Sequence, residues 1–322
     1  KQVHSHVGPE MRTLKYTVAH RDDWNNFVRN TKNGVFFFHR DFMDYHQNRF
    51  EDHSLIFQND DEKWLAILPS CVVDDYLVSH GGLTFGGVLS DRTMTTPRML
   101  EVFEALQRYA TSEGFKGLRY KAVPHMYHLF PAEEDLYALF RNRSLVAKRE
   151  VTSVIDMDHR IPLSKGRKSS ISKAKKNGIQ VKKSDMFSEF MKIEEQVLRE
   201  KYKTKPTHST EEICLLAKRF PENIHLFAAF SDNTMCAGVI VFEHPRVAHA
   251  QYMATTPTGR DCGALDLIIK TLLDDTYKDM SYFDFGISTE QSGLSLNSGL
   301  IAQKEMFGAR AMIHETHEIE FS

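Results

Sequence analysis

The sequence predicts an α+β protein of two tandem domains, each a mixed, mostly antiparallel sheet flanked by helices. Three observations predict it. The chain has 322 residues, more than one ordinary domain needs. Hydrophobic residues make up 41% and charged residues 26%, which suits globular domains with full cores. One order of elements also occurs twice: a hairpin with a polar turn, another strand, a capped helix, a strand, a shorter helix and a closing strand. The first copy spans residues 53–157 and the second 224–321.

Residues 1–10 lack an apolar core, so they read as a leader or an expression remnant and not as a signal peptide. The first domain is expected over 11–157 and the second over 158–322. Residues 12–18 alternate as a strand. Asp22 and Asp23 cap a short helix carrying Trp24, Phe27 and Val28. Asn33-Gly34 is a turn, and 41–50 reads as a helix with an aromatic face. Strands at 55–58 and 64–71 flank Asn59-Asp60-Asp61-Glu62, a hairpin signature. Residues 76–79 lead into the glycine-rich run 81–87. Thr96 as N-cap and Pro97 at the first helical position open a helix with Met99, Val102, Phe103, Leu106 and Ala110 on one face. Gly114 follows its end. A strand at 118–123, a helix at 135–140 and a long strand at 145–157 complete the first copy.

Composition then shifts. Residues 160–183 are rich in Lys and Arg and hold no acidic residue. A basic helix at 165–177 is stopped by Asn177-Gly178, and helices at 192–202 and 210–219 follow. Strands come at 224–230, 235–242 and 247–254. A capped helix at 261–277 carries Leu265, Ile268, Ile269 and Leu272. The stretch 281–310 organises the second copy. Residues 282–287 read as a strand, polar and glycine-rich turn chemistry follows, and a helix at 296–307 ends at Gly308. A strand at 311–321 closes the copy.

The formal net charge is −2, so any nucleic-acid role must come from a local patch. The four cysteines, Cys71, Cys214, Cys236 and Cys262, have neither metal-ligand spacing nor a disulfide pattern. A reducing, cytoplasmic setting is expected, with no membrane span, since no apolar run reaches about 18 residues. No metal is expected, and no Ser/His/Asp or Cys/His nucleophile set is discernible.

The repeated element order is that of the GNAT acyltransferase fold, and three stretches carry a resemblance to the tandem-GNAT Fem-type (FemAB-like) aminoacyltransferases and related CoA N-acyltransferase-like proteins. One is the basic helix, where Ile171, Lys173, Ala174, Lys176, Gly178, Ile179 and Val181 follow Arg167. Another is Thr258-Gly259-Arg260-Asp261-Cys262-Gly263-Ala264. The last is Phe283-Asp284-Phe285-Gly286, with Gln303-Lys304-Glu305-Met306-Phe307-Gly308 resembling the family's K-x-x-F-G ending. The first half resembles the family by element order and by Phe36-Phe37-Phe38-His39.

Acyl transfer to an amine needs an activated acyl group, a deprotonated amine and help for the oxyanion. The resemblance implies a bulged central strand at 247–254, with 282–287 splayed from it and backbone N–H groups in the cleft. It implies that Lys304 stabilises charge near a phosphate or the oxyanion. Asp284 in the strand and Glu290 in the following loop are the carboxylate candidates, each also readable as a surface or capping residue. Tyr252 is the candidate donor to the leaving group, and His249 on the same strand reads as a core or surface residue. Gly259, Arg260 and Gly263 match the GNAT pyrophosphate loop, although Leu265 stands at its last small position; an ordinary capped helix is the alternative. Arg167, Lys173 and Lys176 are the substrate-binding candidates, with a solvated basic helix as the alternative.

The expected activity is transfer of an acyl or aminoacyl group to an amine acceptor, on a cell-wall (peptidoglycan) or polysaccharide precursor. Acyl-CoA or aminoacyl-tRNA serves as cosubstrate, without a bound cofactor, and tRNA is the expected macromolecular partner. A degenerate pair that binds an anionic ligand or RNA without catalysis is the competing expectation.

Overall fold

A computed structural model describes residues 11–321. The expected leader at 1–10 lies outside the described residues. The first unit comprises residues 11–149 with 314–321, and the second 150–313.

The first unit holds β1 (Arg12–Lys15), α1 (Arg21–Asn30), α2 (Arg40–Met43), β2 (Glu51–Asp52), β3 (Leu55–Gln58), β4 (Trp64–Leu68), β5 (Cys71–Val73), β6 (Tyr76–Val78), β7 (Leu89–Ser90), α3 (Thr96–Ser112), β8 (Gly117–Lys121) and α4 (Glu134–Arg141). β1-β3-β4-β7 form one antiparallel sheet. β6 pairs parallel with β8. α3 is the strongest helix: Thr95 is its extended N-cap, one residue earlier than the sequence suggests, and Pro97 sits in its first turn. Its buried face, from Met99 to Ala110, packs with Leu55, Phe57, Leu118 and Tyr120 to make this unit's core.

β9 (Leu145–Asp156) leads into the second unit. There follow α5 (Lys165–Lys176), β10 (Gln180–Ser184), α6 (Phe187–Val197), α7 (Thr210–Arg219), β11 (Ile224–Ser231), β12 (Thr234–Glu243), β13 (Val247–Thr255), α8 (Pro257–Cys262), α9 (Ala264–Thr271), β14 (Tyr282–Ile287), β15 (Thr289–Glu290), β16 (Ser295–Leu296), α10 (Ser298–Glu305) and β17 (Arg310–Glu320). The sheet order is β10-β11-β12-β13-β14-β9. All neighbours are antiparallel except β13 and β14. α9 packs Leu267 and Ile268, with Leu272 just past its end, on one face of this sheet, against Val239, Ala248 and Phe283.

The second unit is therefore a mixed, mostly antiparallel sheet flanked by helices, as the element order predicts, while the first divides its strands between β1-β3-β4-β7 and a mixed sheet in the order β17-β8-β6-β5-β2. The unit boundaries differ from the expected 11–157 and 158–322. Thr152–Asp156 pairs with β14 of the second unit, and Thr316–Glu320 returns to pair with β8 of the first. A parallel pair leaves one edge of its inner strand open, and antiparallel pairing of a closing strand covers that edge. Here each closing strand belongs to the other copy in sequence.

Candidate active site

The site forms where β13 and β14 part. Their parallel register runs Val247↔Tyr282, Ala248↔Phe283, His249↔Asp284 and then stops, although the strands continue to Thr255 and Ile287. Both carry an extra residue there. Ile240 faces Tyr252 while Val241 faces Ala250, so Gln251 is bulged out of β13. On β14 the register with β9 slips between Asp284 and Ile287, and Gly286 takes a φ of +77°, a backbone that suits glycine. Bulges bend strands and add twist. Past the third rung, β13 has no β14 partner, and main-chain groups left out of a ladder are the donors that can polarise an acyl carbonyl.

The period-2 alternation of β14 decides which way Asp284 points. Phe283 and Phe285 enter the apolar core, so Asp284 faces the other side of the sheet, where His249 lies on β13. His249 Nδ1 is 2.7 Å from Asp284 Oδ2. Asp284 Oδ1 accepts from Thr152 Oγ1 at 2.5 Å and from the Gly286 N–H at 2.9 Å. Asp284 is fully buried, and the His249 side chain is 13% exposed. A buried carboxylate that fixes one imidazole nitrogen leaves the other to exchange protons. His249 Nε2 has no hydrogen-bond partner among the described residues. His244, at the β12–β13 turn, is held well below the ordinary histidine range by burial and by His249.

Lys304 of α10 comes to the same end of β14. Its Nζ donates to Gly286 O and Ile287 O, each at 2.8 Å. Burial pushes its pKa down to about 8, against the opposing pull of Asp284. At 5% exposure its hydrogen bonds go to the main chain and staple the bulged strand end.

Tyr252 lies just past the bulge. Its hydroxyl is 2.7 Å from His208 Nδ1 and accepts from the His208 N–H at 3.1 Å. Burial pushes it up to about 12. The expected donor to a leaving group is thus engaged as a post for residue 208. Glu290 sits on exposed β15, where its Oε1 accepts from Asn297 Nδ2 at 2.9 Å. Asn297 in turn caps α10 through the Leu300 N–H. That arrangement is a capping relay, outside the His249–Asp284 cluster.

The residues expected as a phosphate loop, Gly259, Arg260 and Gly263, lie on and beside a helical turn. Residues 257–262 form the helical turn α8, with Thr256 as N-cap accepting from the Gly259 N–H. A Cβ at Gly259 would lie 2.1 Å from Cys236 O, and one at Gly263 2.4 Å from Ser170 O. Both glycines therefore serve close packing, against β12 and α5. Arg260, unlike the two glycines, is exposed, and it has no ion pair among the described residues. It borders a cavity of about 370 Å³, also lined by Ile193 and Val197 of α6 and by Thr255 and Thr256.

On α5, Arg167 is structural. It donates to Asp266 Oδ1 at 2.6 Å and Gln303 O at 3.1 Å, and stacks over Phe307 at 4.2 Å. Lys173 and Lys176 are exposed without ion pairs among the described residues, while Ile171 and Ala174 anchor the opposite face in the core.

The structure brings together Asp284 and Lys304 and adds His249 and Thr152, neither of which the residue pattern singles out; Glu194 of α6 lies apart from them, beside Tyr252. A carboxylate between two phenylalanines at 283 and 285 was the available signal for Asp284. Its partner is fixed only by the parallel register, which a sequence does not display. Glu194 was detectable as an acid on the same helical stripe as Phe190 and Met191.

No family model matches the sequence, and no curated protein matches it. Solved structures do. FemX superposes with a TM-score of 0.63 at 11% identity, over 94% of this chain and 96% of that one. The C-terminal domain of a lysylphosphatidylglycerol synthetase from Agrobacterium fabrum gives 0.58 at 10% identity, over 94% and 92%. A tandem GNAT protein from the clavulanic acid biosynthesis pathway gives 0.52 at 10% identity, over 97% and 99%. At such identities the likeness is one of fold: this chain has the tandem GNAT fold of the Fem kind.

Proposed function

We propose that the protein is an N-acyltransferase that moves an aminoacyl group from aminoacyl-tRNA to an amine, in the gap between β13 and β14 of the second unit. One observation carries the reading: the parallel pair parts after its third rung, at a buried Asp284–His249 pair, with a bulge on each strand. The gap accepts the acyl carbonyl, and main-chain N–H groups beside the Gln251 bulge meet the oxyanion. His249, oriented by Asp284, takes the proton that the amine loses as the N–C bond forms, and returns it to the leaving oxygen. Direct transfer needs no enzyme nucleophile. Fold likeness to FemX and to the lysylphosphatidylglycerol synthetase domain supports an acyl or aminoacyl transferase.

The helical turn at 257–262 favours tRNA over CoA, because the cap and packing described above occupy the loop that would cradle a pyrophosphate. The exposed lysines of α5 give an RNA backbone its positive partners. Acyl-CoA is the second reading, supported by the free Arg260 guanidinium beside the cavity. A cytoplasmic setting and a cell-wall or polysaccharide precursor as acceptor belong to the same proposal. No described helix is long and apolar enough to cross a membrane.

The test is incubation with charged tRNA or acyl-CoA and a panel of amines, read by mass spectrometry. Amide formation that Asp284→Asn abolishes supports the reading. No product from either donor sinks it.

A further inference from the structure

The cavity of about 370 Å³ that Arg260 borders lies in the second unit, beyond the bulged part of β13. Its volume is that of a small-molecule site. One helical stripe makes the first wall: Ile193, Gln196, Val197, Glu200 and Lys201 line it, at the three- and four-residue steps of a single face. The stripe runs on from α6 into a π-helical turn, Leu198–Tyr202, which carries Glu200 and Lys201. It is apolar at Ile193 and Val197 and charged beyond them. The end of β13 and the start of α8 make the other wall, which carries Arg260.

The hydrogen bonds of the lining groups show which of them a ligand can use. The hydroxyls of Thr255 and Thr256 both donate to Cys236 O, at 3.3 and 3.1 Å, so they serve the fold. Gln196 Nε2 donates to Glu200 Oε1 at 2.9 Å. That bond orients the carboxylate and leaves its other oxygen without a hydrogen-bond partner among the described residues. Neither Glu200 nor Arg260 has an ion pair among the described residues. A carboxylate and a guanidinium thus line one cavity without meeting each other. A ligand that carries both opposite charges satisfies the two at once, through charge-assisted hydrogen bonds. A lone anion would leave Glu200 to repel it, and a lone cation would meet Arg260 and Lys201.

We propose that this cavity binds a free aliphatic amino acid. Its ammonium group sits on Glu200 and its carboxylate on Arg260, whose planar fork suits two parallel hydrogen bonds. Its side chain packs against Ile193 and Val197. Lys201 adds positive charge on the carboxylate side of the balance. The site stands apart from the transferase reading: no bond forms or breaks in it, and it uses neither His249 nor the Gln251 bulge.

The test is calorimetry with three probes of one shape and different charge: L-leucine, leucinamide as the cation alone, and 4-methylpentanoate as the anion alone. The wild type should bind leucine at least about tenfold more tightly than either analogue. Glu200 and Arg260 are exposed, so substitutions there leave the core intact. Glu200→Gln should weaken leucine about tenfold without weakening 4-methylpentanoate. Arg260→Ala should weaken leucine by a similar factor without weakening leucinamide. No leucine binding at millimolar probe would overturn the site, as would 4-methylpentanoate binding as tightly as leucine, or leucine binding that neither substitution weakens. Binding of coenzyme A that Arg260→Ala abolishes, with no binding of leucine, would overturn it in favour of the acyl-CoA reading. The probe series on the wild type needs no variant, so a misfolded variant leaves the site open to refutation.

Discussion

Each unit contains one parallel strand pair, and each pair holds for three rungs. In the first unit β6 and β8 run Tyr76↔Gly117, Leu77↔Leu118, Val78↔Arg119. The chain then stays in the seam. Ser79 N–H donates to Arg119 O at 2.8 Å, Gly86 N–H to Lys121 O at 2.9 Å, and Lys121 Nζ to Leu83 O at 2.6 Å. Phe85, 1% exposed, packs against Phe37, Phe38 and Tyr127. The glycine-rich run has filled its own cleft. In the second unit no such run follows β13; a bulge and the turn α8 carry the chain away, and a carboxylate–imidazole pair occupies the third rung. The same topology makes a sealed seam or an open one, according to the segment that leaves the first parallel strand. Buried carboxyls differ likewise. Asp135, raised to about 6 by burial, accepts from Tyr120 Oη at 2.6 Å, whereas Glu194 has no such donor.

The comparison breaks most decisively at the third rung. His249→Ala and Asp284→Asn should each lower transfer by about 10²–10⁴-fold, while Val78→Ala at the matching position should leave the turnover rate unchanged within a few-fold. Equal losses in steady-state kinetics would mean that both seams work. The carboxyls come next. Glu194 keeps its proton longer in the folded than in the unfolded chain, so stability falls as pH rises from about 4.5 to about 7. Glu194→Gln should therefore gain on the order of 3 kcal/mol above pH 7 and nothing below pH 4. Asp135→Ala should instead cost about 1–3 kcal/mol, because Tyr120 loses its acceptor. Urea titrations at two pH values separate these outcomes.

The glycines sharpen the contrast further. A Cβ at Gly86 would lie 2.5 Å from Ser79 O, so Gly86→Ala should cost about 1–3 kcal/mol without touching the rate. Gly286→Ala meets only His249 Cε1, at 3.4 Å. It bears a left-handed backbone strain of about 1–2 kcal/mol and should lower the rate as well. Thermal melts beside initial rates would show whether the two effects part as expected. The smallest effect belongs to α5. Lys173→Glu with Lys176→Glu should flatten the salt dependence of tRNA affinity by about one unit of slope per lysine, and an unchanged slope would remove that helix from the RNA contact.

Much of the fold was legible. Polar turns, the Thr-Pro start of α3 and the Asn177-Gly178 stop are local signals, and each marks an element edge to within a residue or two. Alternation marked β13 and β14, and motif resemblance pointed to Asp284 and Lys304. What stayed hidden was relational. His249 becomes a partner of Asp284 only through a register set between strands 35 residues apart. Lys304 looks like a free cation until α10 docks and two carbonyls receive it. Glycines 259 and 263 read as a phosphate cradle, yet their missing side chains make room for Cys236 O and Ser170 O. A small residue in a loop has the same spelling whether a ligand or a neighbouring helix approaches it.

The crossed closing strands also set an order of assembly. Arg119 and Glu318, paired across β8 and β17, lie 199 residues apart in the chain. During synthesis at about 5–20 residues per second, β8 waits roughly 10–40 s for the strand that covers its edge. For that interval the newborn first unit shows an unprotected strand to its surroundings. A chain interrupted after residue 313 keeps that edge permanently, and quality control in the cell has a simple mark by which to recognise the fragment.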